Sequence, residues 1–143
     1  MYVQWTEECR VDVPAFDEQH RRLLDLLNDI MIIVNEPGTH HGGDFYSVHG
    51  DFAELMNRHF SEEEEALKQN GFPHLDQHQQ EHRELQSTLA ELLTCYEASN
   101  RAHTVPLTDY FKKWFVIHIK LADQRYREFL TNNGTSRKNI HSA

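Results

Sequence analysis

The chain has 143 residues, 38% of them apolar, a formal charge of -9 and a mean hydropathy of -0.71, which suits one globular domain with a core of its own. The acidic balance and the lack of a sustained Lys/Arg stripe argue against nucleic acid or an anionic membrane as partner. The longest apolar run, Ile30 to Val34, falls far short of the roughly 18 to 20 residues that a bilayer requires.

The first residues carry neither the basic start nor the apolar stretch of an export signal, so a cytoplasmic location is expected. Cys9 and Cys95 have no CxxC partner and are expected to be reduced bystanders.

Residues 1–16, with Trp5, Val11, Val13, Pro14 and Phe16, read as an extended arm. A first helix is predicted over 17–34, where Leu23, Leu24, Leu27, Ile30, Met31 and Val34 recur at three and four residues, the spacing of one buried face. Turn signals around Pro37-Gly38 and Gly42-Gly43 separate it from a second helix over 44–69, stopped by Gly71. Its inward side carries Phe45, Val48, Phe52, Leu55, Met56, His59, Glu63 and Leu67.

A third helix follows Pro73 with Leu75, His78, His82, Leu85, Leu89 and Leu92 or Leu93 inward. A turn is predicted around Ser99 to Pro106, and a fourth helix from Thr108, its expected N-cap, through Phe111, Trp114, Phe115, His118, Ile119, Ala122, Tyr126 and Phe129. Four amphipathic helices with short links predict an all-α, antiparallel up-down-up-down four-helix bundle. It spans about 17–131 of a single domain, with a tail over 132–143.

Eleven histidines are an unusual number for this length, and histidine is the commonest metal-ligating side chain. His59 with Glu63, and His78 with His82, stand four apart, so each pair projects from one helical face about a turn apart. Both pairs interrupt an apolar stripe, and burying them unpartnered would cost several kcal/mol, so they satisfy one another or share a cation.

His20 and His118 occupy inward positions on the first and fourth helices. At about 1.5 Å rise per residue, all these groups lie roughly 5 to 18 Å from the same bundle end. Asp123 is not chosen by spacing, since five residues after His118 is about 140° round an α-helix.

Five imidazoles with carboxylates exceed the four ligands of a structural zinc and suit two borderline ions, iron being preferred. Calcium and magnesium prefer oxygen ligands. A single inward histidine is more often a satisfied core residue than a ligand; five at matching depths on four helices reverse that. His40, His41, His49, His103 and His141 are expected to be solvated, His74 to have a surface or capping role, and Glu62 and Glu65 to be solvated.

The chain resembles the hemerythrin family, and specifically its bacterial single-domain members, from Trp5 to about Phe129. The resemblance rests on Asp17-Glu-Gln-His20 with Leu23, His59-Phe60-Ser-Glu-Glu63-Glu64, Phe72-Pro73 with His78-Gln-Gln-Glu-His82, and Trp114-Phe-Val-Ile-His118-Ile119-Lys-Leu-Ala-Asp123. Phe72 stands where tyrosine is frequent. The resemblance implies seven ligands: His20, His59, His78, His82 and His118, with Glu63 and Asp123 as bridging carboxylates. It also implies two iron ions (Fe2+/Fe3+) joined by an oxo or hydroxo bridge, with His78, His82 and His118 on one and His20 and His59 on the other.

The two-histidine iron keeps an open position for dioxygen, which implies reversible oxygen binding for storage, transport or delivery, and no enzymatic turnover. Leu23, Phe60, Trp114, Phe115 and Ile119 are expected to line the oxygen pocket, and the two aromatic residues of helix four also read simply as core. The same site could serve oxygen or nitric oxide sensing or iron handling. A ferritin-like oxidase or peroxidase is disfavoured, because its carboxylate-rich ligand set is absent.

Overall fold

The computed structural model describes residues 3–36 and 44–132. Val3 is tied to the first helix by both backbone groups, its N–H donating to Asn28 Oδ1 at 2.8 Å and its carbonyl accepting from Asn28 Nδ2 at 2.6 Å. The arm then makes a short 3-10 turn, Glu7–Cys9. Arg21 lies over the Trp5 ring, 4.0 Å from its centroid, a cation–π contact that fastens the arm to the bundle.

Helix α1, Pro14–Asn35, starts three residues earlier than predicted. Proline at the first helical position loses no hydrogen bond there and has the helical φ built in. Asp17 lies in the first turn, where its Oδ1 accepts from Val11 N–H at 2.8 Å. It therefore holds the arm.

Helix α2, Asp44–Gln69, ends as predicted at Gly71, whose φ of 69° is left-handed. Phe72 N–H reaches Leu67 O and Gly71 N–H reaches Lys68 O, the paired bonds of a Schellman ending. Helix α3, Leu75–Glu97, ends the same way, with Ser99 in the left-handed position at φ 54° and Asn100 N–H bonded to Cys95 O.

The fourth rod is less regular. It runs as α4, Arg101–Ile117, a π-helical turn, His118–Ala122, and α5, Asp123–Asn132. The predicted start at Thr108 is corrected: Asn100 caps the helix, its side chain accepting from His103 N–H, and Pro106 lies inside it. Proline there removes one bond, to Ala102 O, which is on an exposed residue in the first turns and has water as a substitute. Thr108 is buried mid-helix and donates to Thr104 O at 2.7 Å.

The rods pack in the order α1, α2, α3, α4, with α4 closing back on α1, which is the predicted all-α four-helix bundle. Its main core joins Leu23, Leu27, Ile30, Phe45, Phe52, Met56, Leu85, Leu89, Leu92, Phe111 and Phe115. A second cluster, Val11, Val13, Phe16, Leu67, Phe72, Tyr126 and Leu130, seals the end that the arm crosses.

His49 overturns an expectation: it is buried in α2, its Nε2 donates to Leu89 O at 2.8 Å, and its ring stacks on Phe45. His103 and His74 are exposed, as expected. His40, His41, His141 and most of the expected tail lie outside the described residues.

Candidate metal centre

Between the two apolar clusters the core turns polar. His20 from α1, His59 and Glu63 from α2, His78 and His82 from α3, and His118 and Asp123 from the fourth rod are all at most 4% exposed. The seven residues named from the sequence thus meet in one place.

The π-turn explains Asp123. Its N–H bonds to His118 O, five residues back, so this turn holds five residues where an α-turn holds four. The extra residue brings Asp123 round to the face of His118, and their side chains approach to 3.1 Å.

Each carboxylate offers one oxygen to each set of imidazoles. Glu63 Oε1 lies 2.7 Å from His78 Nε2 and 3.0 Å from His82 Nε2, and Glu63 Oε2 lies 3.0 Å from His59 Nε2. Asp123 Oδ1 lies 3.0 Å from His78 Nε2 and 3.1 Å from His118 Nε2, and Oδ2 lies 3.2 Å from His20 Nε2. Two overlapping groups result, each compact enough to hold an ion: His78, His82 and His118, or His20 and His59, each with Glu63 and Asp123.

The donor chemistry fits two cations that share the carboxylates. His82 Nε2, His118 Nε2 and both Asp123 oxygens are buried without a hydrogen-bond partner, although the distances above are short. The donor atoms of each group lie within 4.8 Å of one another, close enough to share an ion. Meanwhile His82 Nδ1 donates to Glu64 at 2.6 Å, His118 Nδ1 to Glu81 at 3.1 Å, and His59 Nδ1 to the Gln19 carbonyl oxygen at 2.5 Å. Those acceptors fix the proton on Nδ1 and leave Nε2 as the inward ligand atom.

Sequence reasoning did not assign Gln19, Glu64, Glu81 or Tyr126 to the site. The buried Tyr126 hydroxyl donates to Glu63 Oε2 at 2.9 Å. Of the expected pocket residues, Leu23, Phe60, Phe115 and Ile119 are buried and Trp114 is half-buried. The Phe60 ring lies flat on His82, with centroids 3.7 Å apart.

Without a cation, protons balance the charge. Burial pulls His78 and His118 down, but the close carboxylates of Asp123 and Glu63 outweigh it for His78, which rises to about 10. Asp123 and Glu81 outweigh it for His118, which rises to about 9. Burial raises the Glu63 and Asp123 carboxyls, and the surrounding imidazoles overcome it and hold both well below the carboxylate range.

The sign follows by linkage. The histidine contribution to stability is complete below about pH 6.5 and is lost as pH rises through 9 to 10. The carboxylate contribution is lost instead as pH falls into the acid range. Calorimetry of the metal-free protein is therefore expected to show a melting temperature that falls between pH 6.5 and 10. A flat profile over that range would contradict these pairings.

The family model described as the hemerythrin HHE cation binding domain matches residues 11–130. A bacteriohemerythrin of Stenotrophomonas maltophilia (strain R551-3) is 23% identical over 124 residues, 87% of this chain and 78% of that protein. A myohemerythrin of Theromyzon tessulatum is 27% identical over 124 residues, 87% of this chain and 90% of that one.

A solved crystal structure of a leucine-to-phenylalanine mutant superposes with a TM-score of 0.76. It is 24% identical and covers 88% of this chain and 95% of its own; at that identity it shows the fold. No described helix is long and apolar enough to cross a membrane. With a family match over 11–130 and a buried His/Glu/Asp cluster drawn from all four rods, this chain belongs to the hemerythrin HHE cation-binding family.

Proposed function

We propose that the chain binds dioxygen reversibly at a non-haem di-iron centre, for oxygen storage, transport or delivery, without enzymatic turnover. The ligands are His20, His59, Glu63, His78, His82, His118 and Asp123. The observation that carries the reading is the division of labour above, in which each of two carboxylates turns one oxygen to a three-histidine group and the other to a two-histidine group. Ferrous ions held by these residues would supply the electrons that reversible oxygen binding needs.

The protein's own part is placement and exclusion. The His20/His59 group offers one donor fewer, so the space for a small ligand falls on its side. Five imidazoles against two carboxylates put little anionic charge on the ions, which favours holding dioxygen over splitting it. Reversibility also needs water and stray protons kept out. Leu23, Phe60, Phe115 and Ile119 are each at most 2% exposed and would supply an apolar wall, with the half-buried Trp114 packed against the same core. Tyr126, donating to Glu63 Oε2, holds that carboxylate in its bridging orientation.

The test is an oxygen titration of the ferrous-loaded protein followed by its visible spectrum. Two irons per chain and a charge-transfer band that appears in oxygen and disappears when oxygen is removed are expected. Irreversible oxidation with peroxide turnover would move the chain to the oxidases, and a single bound zinc would overturn the reading.

A further inference from the structure

The inward nitrogens of the cluster are alike, but their outward partners are not. Behind the three-histidine group stand two carboxylates, Glu64 on His82 Nδ1 and Glu81 on His118 Nδ1. On the two-histidine side His59 Nδ1 meets the neutral amide of Gln19, and His20 Nδ1 is buried with no hydrogen-bond partner. The amide cannot be the other way round: Gln19 Nε2 donates to Glu62 Oε1 at 2.8 Å, and a carboxylate only accepts.

The supports follow the order of the bundle. Gln19 of α1 holds His59 of α2, Glu64 of α2 holds His82 of α3, and Glu81 of α3 holds His118 at the end of α4. Each of these three imidazoles is thus oriented by the preceding helix, and only the acceptor's charge changes.

We propose that Glu64, Glu81 and Gln19 make the two halves of the centre unequal, so that divalent ions load in order. The His78/His82/His118 half fills first and tightly, the His20/His59 half second and more weakly. The inference rests on the two-ion reading of the cluster.

A carboxylate on the far N–H of an imidazole raises the basicity of the ligating nitrogen as well as fixing the ring, whereas an amide fixes the ring and adds little charge. The three are positioning residues: they touch imidazoles and not the ions.

Cobalt(II) titration of the metal-free full chain, read by calorimetry and visible absorption, tests this. Two affinity steps are expected for the unaltered chain. Glu64→Gln and Glu81→Gln should each weaken the first step by about 10- to 100-fold. Gln19→Glu should strengthen the second step by about tenfold and narrow the gap, whereas Gln19→Ala should weaken the second step alone. The exposed Glu65→Gln should move neither.

Two ions entering with a single affinity, or second steps unmoved by both Gln19 variants, overturn the ordering and leave the two-ion centre standing. A chain that takes up no cobalt overturns both.

Discussion

Glu63→Ala is expected to empty both halves of the centre, lowering bound metal from two ions per chain to almost none. No other single change except at Asp123 removes a donor from both groups at once, because Glu63 turns Oε1 toward His78 and His82 and Oε2 toward His59. Loss of a partner standing behind a ligand costs about 10- to 100-fold in metal affinity, and loss of a shared ligand costs more than that at each ion.

The same change leaves the buried Tyr126 hydroxyl without its acceptor and the imidazoles without one of their two shared carboxylates. The His78 group then falls back from about 10 toward its ordinary range, because one of the two carboxylates that raised it is gone. Metal analysis of the purified variant decides the matter, with Glu65→Ala, exposed on the same helix, as the control. Two ions retained in Glu63→Ala would refute the bridging role, and equal loss in Glu65→Ala would show general unfolding.

What could be read in the sequence follows from which signals are local. The apolar stripes of 17–34 and 44–69 are pure periodicity, and α1 and α2 carry those residues buried or half-buried. Gly71 stops α2 because a left-handed residue was needed there and glycine adopts that backbone freely. His59, Glu63, His78 and His82 were legible for the same reason: four-residue spacing is what an α-helix turns into proximity.

The misreadings have tertiary causes. Pro106 was taken as a boundary, but early in α4 the one bond it forfeits belongs to an exposed carbonyl, and the packing of Thr104, Thr108 and Phe111 keeps the helix continuous. His49 was taken as solvated, although it lies one turn from Phe45 and Phe52 in phase with the stripe. The Leu89 carbonyl across the bundle makes its burial tolerable. The supports Gln19, Glu64 and Glu81 sit beside ligands in the sequence yet act on ligands of other helices. Their spacing within one helix therefore carried no signal.

Asp123→Ala is expected to abolish paired metal binding as completely as Glu63→Ala, while deletion of Leu121 is expected to preserve it. The contrast follows from the π-turn. His118 and Asp123 share a face because five residues fill one turn, with Asp123 N–H bonded to His118 O. Removing one residue closes the turn to an α-turn of four, and the carboxylate then stands four residues after His118, again on its face.

Tyr126 and Leu130 keep their phase as well, since everything after the turn shifts together. Leu121 is the residue to delete: it is 63% exposed, whereas Ile119, Ala122 and His118 are buried. Cobalt stoichiometry should be two for the deletion and almost none for Asp123→Ala, and helix content should be unchanged in both. If the deletion empties the centre, the extra residue does more than bring Asp123 round, and the looser turn itself would then be needed to let the carboxylate reach both halves.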